Sequence, residues 1–248
     1  MTVSSWVVGS GPAVLLVHAG VADARMWARQ VEELAADHQV ITMDLRGYGE
    51  TPLEAGADYS DAGDLLAVLD EVGVAEVSAV GASYGGYVVQ QAASRQPERF
   101  NRLVLICAPT DNVEPTDDLR AVWADENRLL EAGDVDAATD LMVRSWIGPD
   151  ADDDARELLR AMQRRAYELQ LAAGDDVTNE EYAVEPEKIT APVRLITGAH
   201  DFAFFTNSAD YLAERLPASE RIHLPWAGHL PTLERPEEGT ALIRAALA

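Results

Sequence analysis

Short runs of apolar, mostly β-branched residues recur along the chain and alternate with longer stretches in which apolar residues return every three or four positions. The short runs fall at 13–17, 40–43, 77–80, 103–107, 193–197 and 221–224, each bounded by Gly, Pro or Asp. Such runs predict strands buried on both faces. The amphipathic stretches at 26–36, 61–72, 84–95, 209–216 and 237–246 predict helices. Parallel strands need a crossover long enough to hold a helix, so the alternation predicts an α/β fold, a mostly parallel sheet flanked by helices. Residues 3–8, followed by Gly9-Ser10-Gly11-Pro12, predict an antiparallel edge strand and a turn.

Between residues 111 and 185 the alternation stops. No β-like run occurs there, and three helical patterns follow one another, near 117–130, 135–146 and 153–171. Leu119, Val122, Trp123, Leu129 and Leu130 on the first, and Leu158, Leu159, Met162, Ala166 and Leu169 on the third, keep the spacing of a buried stripe. The pattern predicts a helical subdomain, 111–185, inserted into an α/β core made of 1–110 and 186–248.

Composition narrows the class of partner. The 248 residues are 48% hydrophobic and 25% charged, enough apolar material for a buried core and unlike a disordered chain. Nineteen basic against 43 acidic residues leave a net charge of −24, which repels nucleic-acid phosphates and anionic membrane surfaces. Segment 111–185, with 21 acidic and 7 basic residues, holds 14 of those negative charges and reads as a solvated outer face. Cys107 is the only cysteine, which excludes an internal disulfide and a cysteine-based zinc cage, and the five histidines lack ligand spacing. No run approaches the roughly 18 consecutive apolar residues of a membrane span, and the first residues lack the basic-then-apolar order of an export signal. The expectation is a soluble, cytoplasmic protein with no metal, no cofactor, and no nucleic-acid or membrane partner; its oligomeric state is not legible.

The sharpest chemical signal is Gly81-Ala82-Ser83-Tyr84-Gly85-Gly86, between the strand at 77–80 and the helix at 84–95. A Gly-x-Ser-x-Gly turn from strand to helix holds the serine in a strained conformation that projects its hydroxyl at the sheet edge, and small residues two positions either side let strand and helix approach. The following helix directs its N–H groups towards any oxyanion formed there. A glycine turn with an incidental serine is the alternative. A hydroxyl is a weak nucleophile at neutral pH, so catalysis requires a base and an acid that orients it. Asp201, in Gly198-Ala199-His200-Asp201, follows the strand at 193–197 at its carboxyl end, the edge where open α/β sheets bind ligands. His229, in Ala227-Gly228-His229-Leu230-Pro231, follows the last strand at the same edge. Ser83, His229 and Asp201 are the candidate nucleophile, base and acid.

These motifs, in the chain order Ser83, Asp201, His229, resemble those of the α/β-hydrolase superfamily, in its small capped esterase, lactonase and C–C hydrolase branch. The resemblance extends to His18-Ala19-Gly20 with Trp27, Asp44-Leu45-Arg46-Gly47-Tyr48-Gly49, Pro97-Glu98-Arg99-Phe100, and Gly228-His229 followed by Glu234-Arg235-Pro236, and so covers nearly the whole chain. It implies an α/β-hydrolase sheet with segment 111–185 as a helical cap over the pocket. It also implies an oxyanion hole made by the backbone N–H groups of Tyr84 and Gly20, and a structural role for Asp44 and Arg46. Phe202, Phe204 and Phe205 stand where the family often has a proline-containing turn, and Ala19 departs from the commoner His-Gly opening.

Of the other candidates, His18 reads as a loop-positioning residue, His200 as a competitor for the base, and His38 and His223 as surface or packing residues. Trp123, Trp146 and Trp226 read as core, with pocket lining the alternative; for the three phenylalanines both readings stay open. Cys107 reads as a buried apolar residue. The function expected is cofactor-independent hydrolysis of a small, neutral or moderately apolar carboxylic ester, or a lactone, through an acyl-enzyme. Serine at the elbow speaks against branches that use a carboxylate nucleophile. The same triad also serves C–C hydrolysis, perhydrolysis, cyanohydrin cleavage or cyclisation, and a small-molecule receptor with a hydrolase-like pocket is the alternative of another class.

Overall fold

The computed structural model describes residues 3–174 and 176–248. Its strands are β1 (Ser5–Gly9), β2 (Ala13–Val17), β3 (Gln39–Met43), β4 (Asp58–Tyr59), β5 (Val77–Ala82), β6 (Phe100–Ile106), β7 (Thr178–Asn179), β8 (Val193–Gly198) and β9 (Ser219–Leu224). Its helices are α1 (Ala28–Leu34), α2 (Asp61–Val72), α3 (Tyr84–Arg95), α4 (Asp117–Glu131), α5 (Val135–Trp146), α6 (Asp153–Ala173), α7 (Ala203–Arg215), the single turn α8 (Pro231–Glu234) and α9 (Pro236–Leu247). Seven strands make one sheet in the order β1-β3-β2-β5-β6-β8-β9, with β1 antiparallel to β3 and every other neighbouring pair parallel.

Each interior strand feeds two cores, as the period of two requires. Val14 and Leu16 of β2 join one buried cluster, and Leu15 and Val17 the other; Val104 and Ile106 of β6 divide from Leu103 and Leu105 in the same way. The first cluster takes in Leu34 of α1 and Ile243 of α9, and the second Leu65 and Leu69 of α2, Val88 and Val89 of α3, and Leu212 of α7. Local signals set the helix ends: the Ser60 hydroxyl accepts the Gly63 N–H to open α2, and Gly73, at φ 75°, closes it.

The three helices α4, α5 and α6 lie in sequence between β6 and β8, and Asp134 and Asp152 cap the second and third. Their stripes, including Leu119, Met142, Leu159 and Met162, join the cluster that holds Val104 and Ile106 of the sheet. This segment is not wholly helical: Thr178–Asn179 of β7 pairs in parallel with Asp58–Tyr59 of β4, a two-residue strand too short to show as an apolar run. Elsewhere α7 starts at Ala203 instead of 209, its first turn burying Phe204 and Phe205 in the cluster that holds Ile196 while Ala209 and Leu212 pack in the other. The strand expected through residue 107 stops at Ile106, since Cys107 adopts φ 48° and leaves the sheet.

Candidate active site

Ser83 lies between β5 and α3 at φ 49° and ψ −120°. Ser83 and Cys107 are the non-glycine residues with positive φ among those described. Two glycines permit this sharp turn: a Cβ on Gly81 would come 2.5 Å from Gly86 Cα, and one on Gly85 would collide with the carbonyl oxygens of Val17 and His18. The strained residue is held by its N–H, which donates to the Ile106 carbonyl at 2.7 Å.

At the ends of β8 and β9, His229 Nδ1 lies 2.8 Å from Asp201 Oδ2, and both side chains are 1% exposed. A carboxylate accepts, so the Nδ1 proton donates and the lone pair of the neutral ring sits on Nε2. That Nε2 is buried and has no hydrogen-bond partner. The Phe202 N–H donates to Asp201 Oδ1 at 2.8 Å and fixes the carboxylate from the other side. Aromatic rings pack the imidazole: Phe205 at 4.2 Å and Trp146, from α5, at 4.5 Å between centroids.

Ser83, Tyr84, Gly20 and His229 line one cavity of about 650 Å³, which reaches from the sheet edge to α4, α5 and α6. Ser83 and His229 face this space without a hydrogen bond between them; contacts of this kind are commonly long until substrate arrives. Gly20 lies against Tyr84, where an added Cβ would meet the tyrosine Cβ at 3.2 Å. Tyr84 is the first residue of α3, so its N–H is among those a helix leaves without an internal partner.

A family model described as "alpha/beta hydrolase fold" matches residues 12–236. The chain belongs to the alpha/beta hydrolase fold family. Among curated relatives, this hydrolase is 27% identical over 263 aligned positions to the pimeloyl-[acyl-carrier protein] methyl ester esterase of Aeromonas salmonicida, with 98% of each chain covered. It is 28% identical to a putative carbamate hydrolase, RutD, of Pseudomonas savastanoi, covering 86% of this chain and 85% of the relative. Among solved structures, a thermophilic esterase from Thermogutta terrifontis superposes with a TM-score of 0.80 at 26% identity, covering 99% of this chain and 92% of the other. The enol-lactonase of Burkholderia xenovorans gives 0.81 at 21% identity, covering 99% and 96%, a likeness of fold.

The remaining histidines of this alpha/beta hydrolase have other work. His18 is fully buried, and its Nε2 accepts the Leu45 N–H at 3.0 Å, so the proton sits on Nδ1 and donates to the Ala19 carbonyl at 2.8 Å. Burial lowers its pKa and keeps the ring neutral. His200 is exposed, and His223, also exposed, contacts the Thr197 hydroxyl. Asp44 is structural, accepting the Ala24 and Glu50 N–H groups at 2.7 Å each, while Arg46 pairs with Asp64 at 2.6 Å. Trp146, Phe204 and Phe205 are buried and also line the cavity, so core and pocket coincide; Trp226 lies under the Arg235 guanidinium, away from it.

Two arrangements escaped the sequence reading. Buried Glu234, seen there only as part of a motif, accepts the Gly228 N–H at 2.7 Å and the Leu230 N–H at 3.0 Å, bracketing His229. Asp61 accepts the Tyr84 hydroxyl at 2.6 Å and the Asn179 amide at 2.9 Å, tying α3 to β7. Burial raises its pKa to about 6, against the lowering effect of the Tyr84 hydrogen bond. Asp61 joins positions brought together only by the fold, whereas Glu234 lies four and six residues from the N–H groups it accepts and was missed because a bond to the main chain requires no particular residue type at its partners. The carbonyl oxygen of Gly228 is also 3.8 Å from Cys107 Sγ, which stands beside Asp201 and His229 with its thiol pushed up in pKa by burial and by Asp201.

Proposed function

We propose that this protein is a serine esterase for small carboxylic esters, with Ser83 as nucleophile, His229 as base and Asp201 as orienting acid. The observation that carries the reading is the His229 ring, locked by Asp201 at 2.8 Å in the tautomer whose bare Nε2 faces the cavity that Ser83 lines. Ser83 Oγ attacks the ester carbonyl as Nε2 takes its proton, and the Gly20 and Tyr84 N–H groups hold the oxyanion. The imidazolium returns the proton to the departing alcohol, leaving Ser83 acylated. Water, deprotonated by the same nitrogen, then releases the acid and frees the serine.

The aromatic and methionine side chains that line the cavity suit an apolar acyl or alcohol group, and two of the relatives carry esterase names. In this reading the segment 111–185 acts as a helical cap over the pocket, its α4, α5 and α6 lining the cavity opposite the sheet edge. The test is a chromogenic ester series of increasing acyl length, with fluorophosphonate labelling, on wild type, Ser83→Ala and His229→Ala. Turnover should drop by about 10⁴-fold or more in both variants, and the label should be lost from Ser83→Ala. Full activity in Ser83→Ala removes the assignment.

A further inference from the structure

The wall of the cavity that faces Ser83 is unusual in its charge. Asp111, Glu114, Glu126 and Glu181 line it, and among the described residues no lysine or arginine does. Among the described residues only Glu114 of the four has an ion-pair partner, Arg120 at 3.5 Å. Glu126 instead accepts the Tyr167 hydroxyl at 2.6 Å, Glu181 the Tyr87 hydroxyl at 3.3 Å, and Asp111 the Val184 N–H at 2.9 Å. Trp123 lines the same wall. Two further lining side chains, Thr110 and Gln163, are each 3% exposed, and Thr110 Oγ1 and Gln163 Oε1 have no partner in the protein. Unmet hydrogen-bonding groups on a cavity wall are what a ligand would satisfy.

We infer that this wall binds an organic cation, a protonated amine or quaternary ammonium carried by the acyl or alcohol part of the ester. Asp111, Glu114 and Glu181 are exposed and Glu126 is half-buried, so the four surround the cavity where it opens to solvent; carboxylates gathered around a concave site attract a cation, and aromatic faces add to that attraction. A metal ion fits less well: among the described residues the one group of three donors close enough to hold an ion is Cys107, Asp201 and His229, and none of the wall carboxylates belongs to it. Burial also holds the Glu126 carboxyl above its ordinary range, a penalty that a bound cation relieves. The inference depends on the esterase reading for its reaction and not for its binding.

The test compares choline butyrate with 3,3-dimethylbutyl butyrate, of the same shape without the charge, using 4-nitrophenyl butyrate as the neutral reference. The kcat/KM ratio should favour the choline ester by about tenfold or more. It should fall towards one in Glu126→Gln and in the double variant Asp111→Asn, Glu181→Gln. Should a variant fail to fold, wild type alone decides, because the ratio must shrink as sodium chloride rises to about 0.5 M. A ratio of one or below with the neutral esters turned over overturns the cation site and leaves the esterase reading standing. If no ester is cleaved, the esterase reading fails, and calorimetric titration with choline against 3,3-dimethylbutan-1-ol decides the site: tighter choline binding supports it, and equal or weaker binding overturns it.

Discussion

Glu234 grips the backbone on both sides of His229, accepting one N–H from Gly228 and one from Leu230 at 2.7 and 3.0 Å. The imidazole is thereby fixed through its own main chain, independently of the bond it makes to Asp201. Glu234→Gln keeps the size but offers one acceptor and one donor to two N–H groups, so one contact becomes a repulsion. We expect kcat to fall by about ten- to a hundredfold, as when a catalytic group shifts by about 1 Å, with KM little changed. Stability in urea should drop by about 1–3 kcal/mol. An unchanged kcat in a folded variant would show that the loop needs no such clamp.

Asp201 acts on the tautomer. Replacing it by asparagine preserves size and leaves an amide that can donate to Nδ1, which stabilises the ring with its proton on Nε2 instead. That form cannot accept the Ser83 proton. Asp201→Asn should lower kcat by about 10⁴-fold near neutral pH while binding of a non-reactive ester analogue persists. Steady-state kinetics and analogue titration check the two halves separately.

Asp61 gives a pH signature in stability instead of in rate. Its folded pKa, about 6, lies above the ordinary 3.8, so the native state binds the proton more tightly than the unfolded chain. Its penalty is absent below about pH 4, grows as pH rises, and is complete above about pH 6; a shift of two units corresponds to about 3 kcal/mol. Tyr84 and Asn179 hydrogen-bond the carboxylate, Asp64 raises its pKa further and Arg46 lowers it. Asp61→Asn removes the titration, so its stability relative to wild type should improve by about 2–3 kcal/mol between pH 4 and 7. Urea unfolding at both pH values is the measurement, and a constant difference between the proteins would count against it.

The parts of this molecule that were legible in sequence are those whose cause is local. The 61–72, 84–95 and 135–146 helices carry their own periodicity and meet the observed bounds Asp61–Val72, Tyr84–Arg95 and Val135–Trp146. Ser83 was legible because its strain needs glycines at fixed offsets. The sequence placed Asp201 and His229 by strand end alone, and their juxtaposition at 2.8 Å depends on β8 and β9 lying side by side. What stayed hidden is long-range. The pairing of β4 with β7 spans more than a hundred residues through two-residue strands, and the Asp61, Tyr84 and Asn179 cluster sits on that pairing. Nor could a charge count show which acids of 111–185 border the cavity, because that depends on where the fold places each carboxylate.

Cys107 offers a last check on how the site is built. Its sulfur is buried, stands behind Asp201 and His229, and has its thiol raised in pKa first by burial and then by the Asp201 charge. The thiolate is the reactive form, so proximity to a histidine does not make this cysteine a nucleophile. Iodoacetamide at about pH 8 should leave Cys107 unmodified in the native protein and alkylate it in denaturant, as read by intact-mass spectrometry. The native protein should also keep its full esterase rate through the treatment. Rapid alkylation without denaturant would mean that the Asp201 and His229 loops open together, because both Asp201 and the Gly228 carbonyl lie against this sulfur and would have to move to expose it.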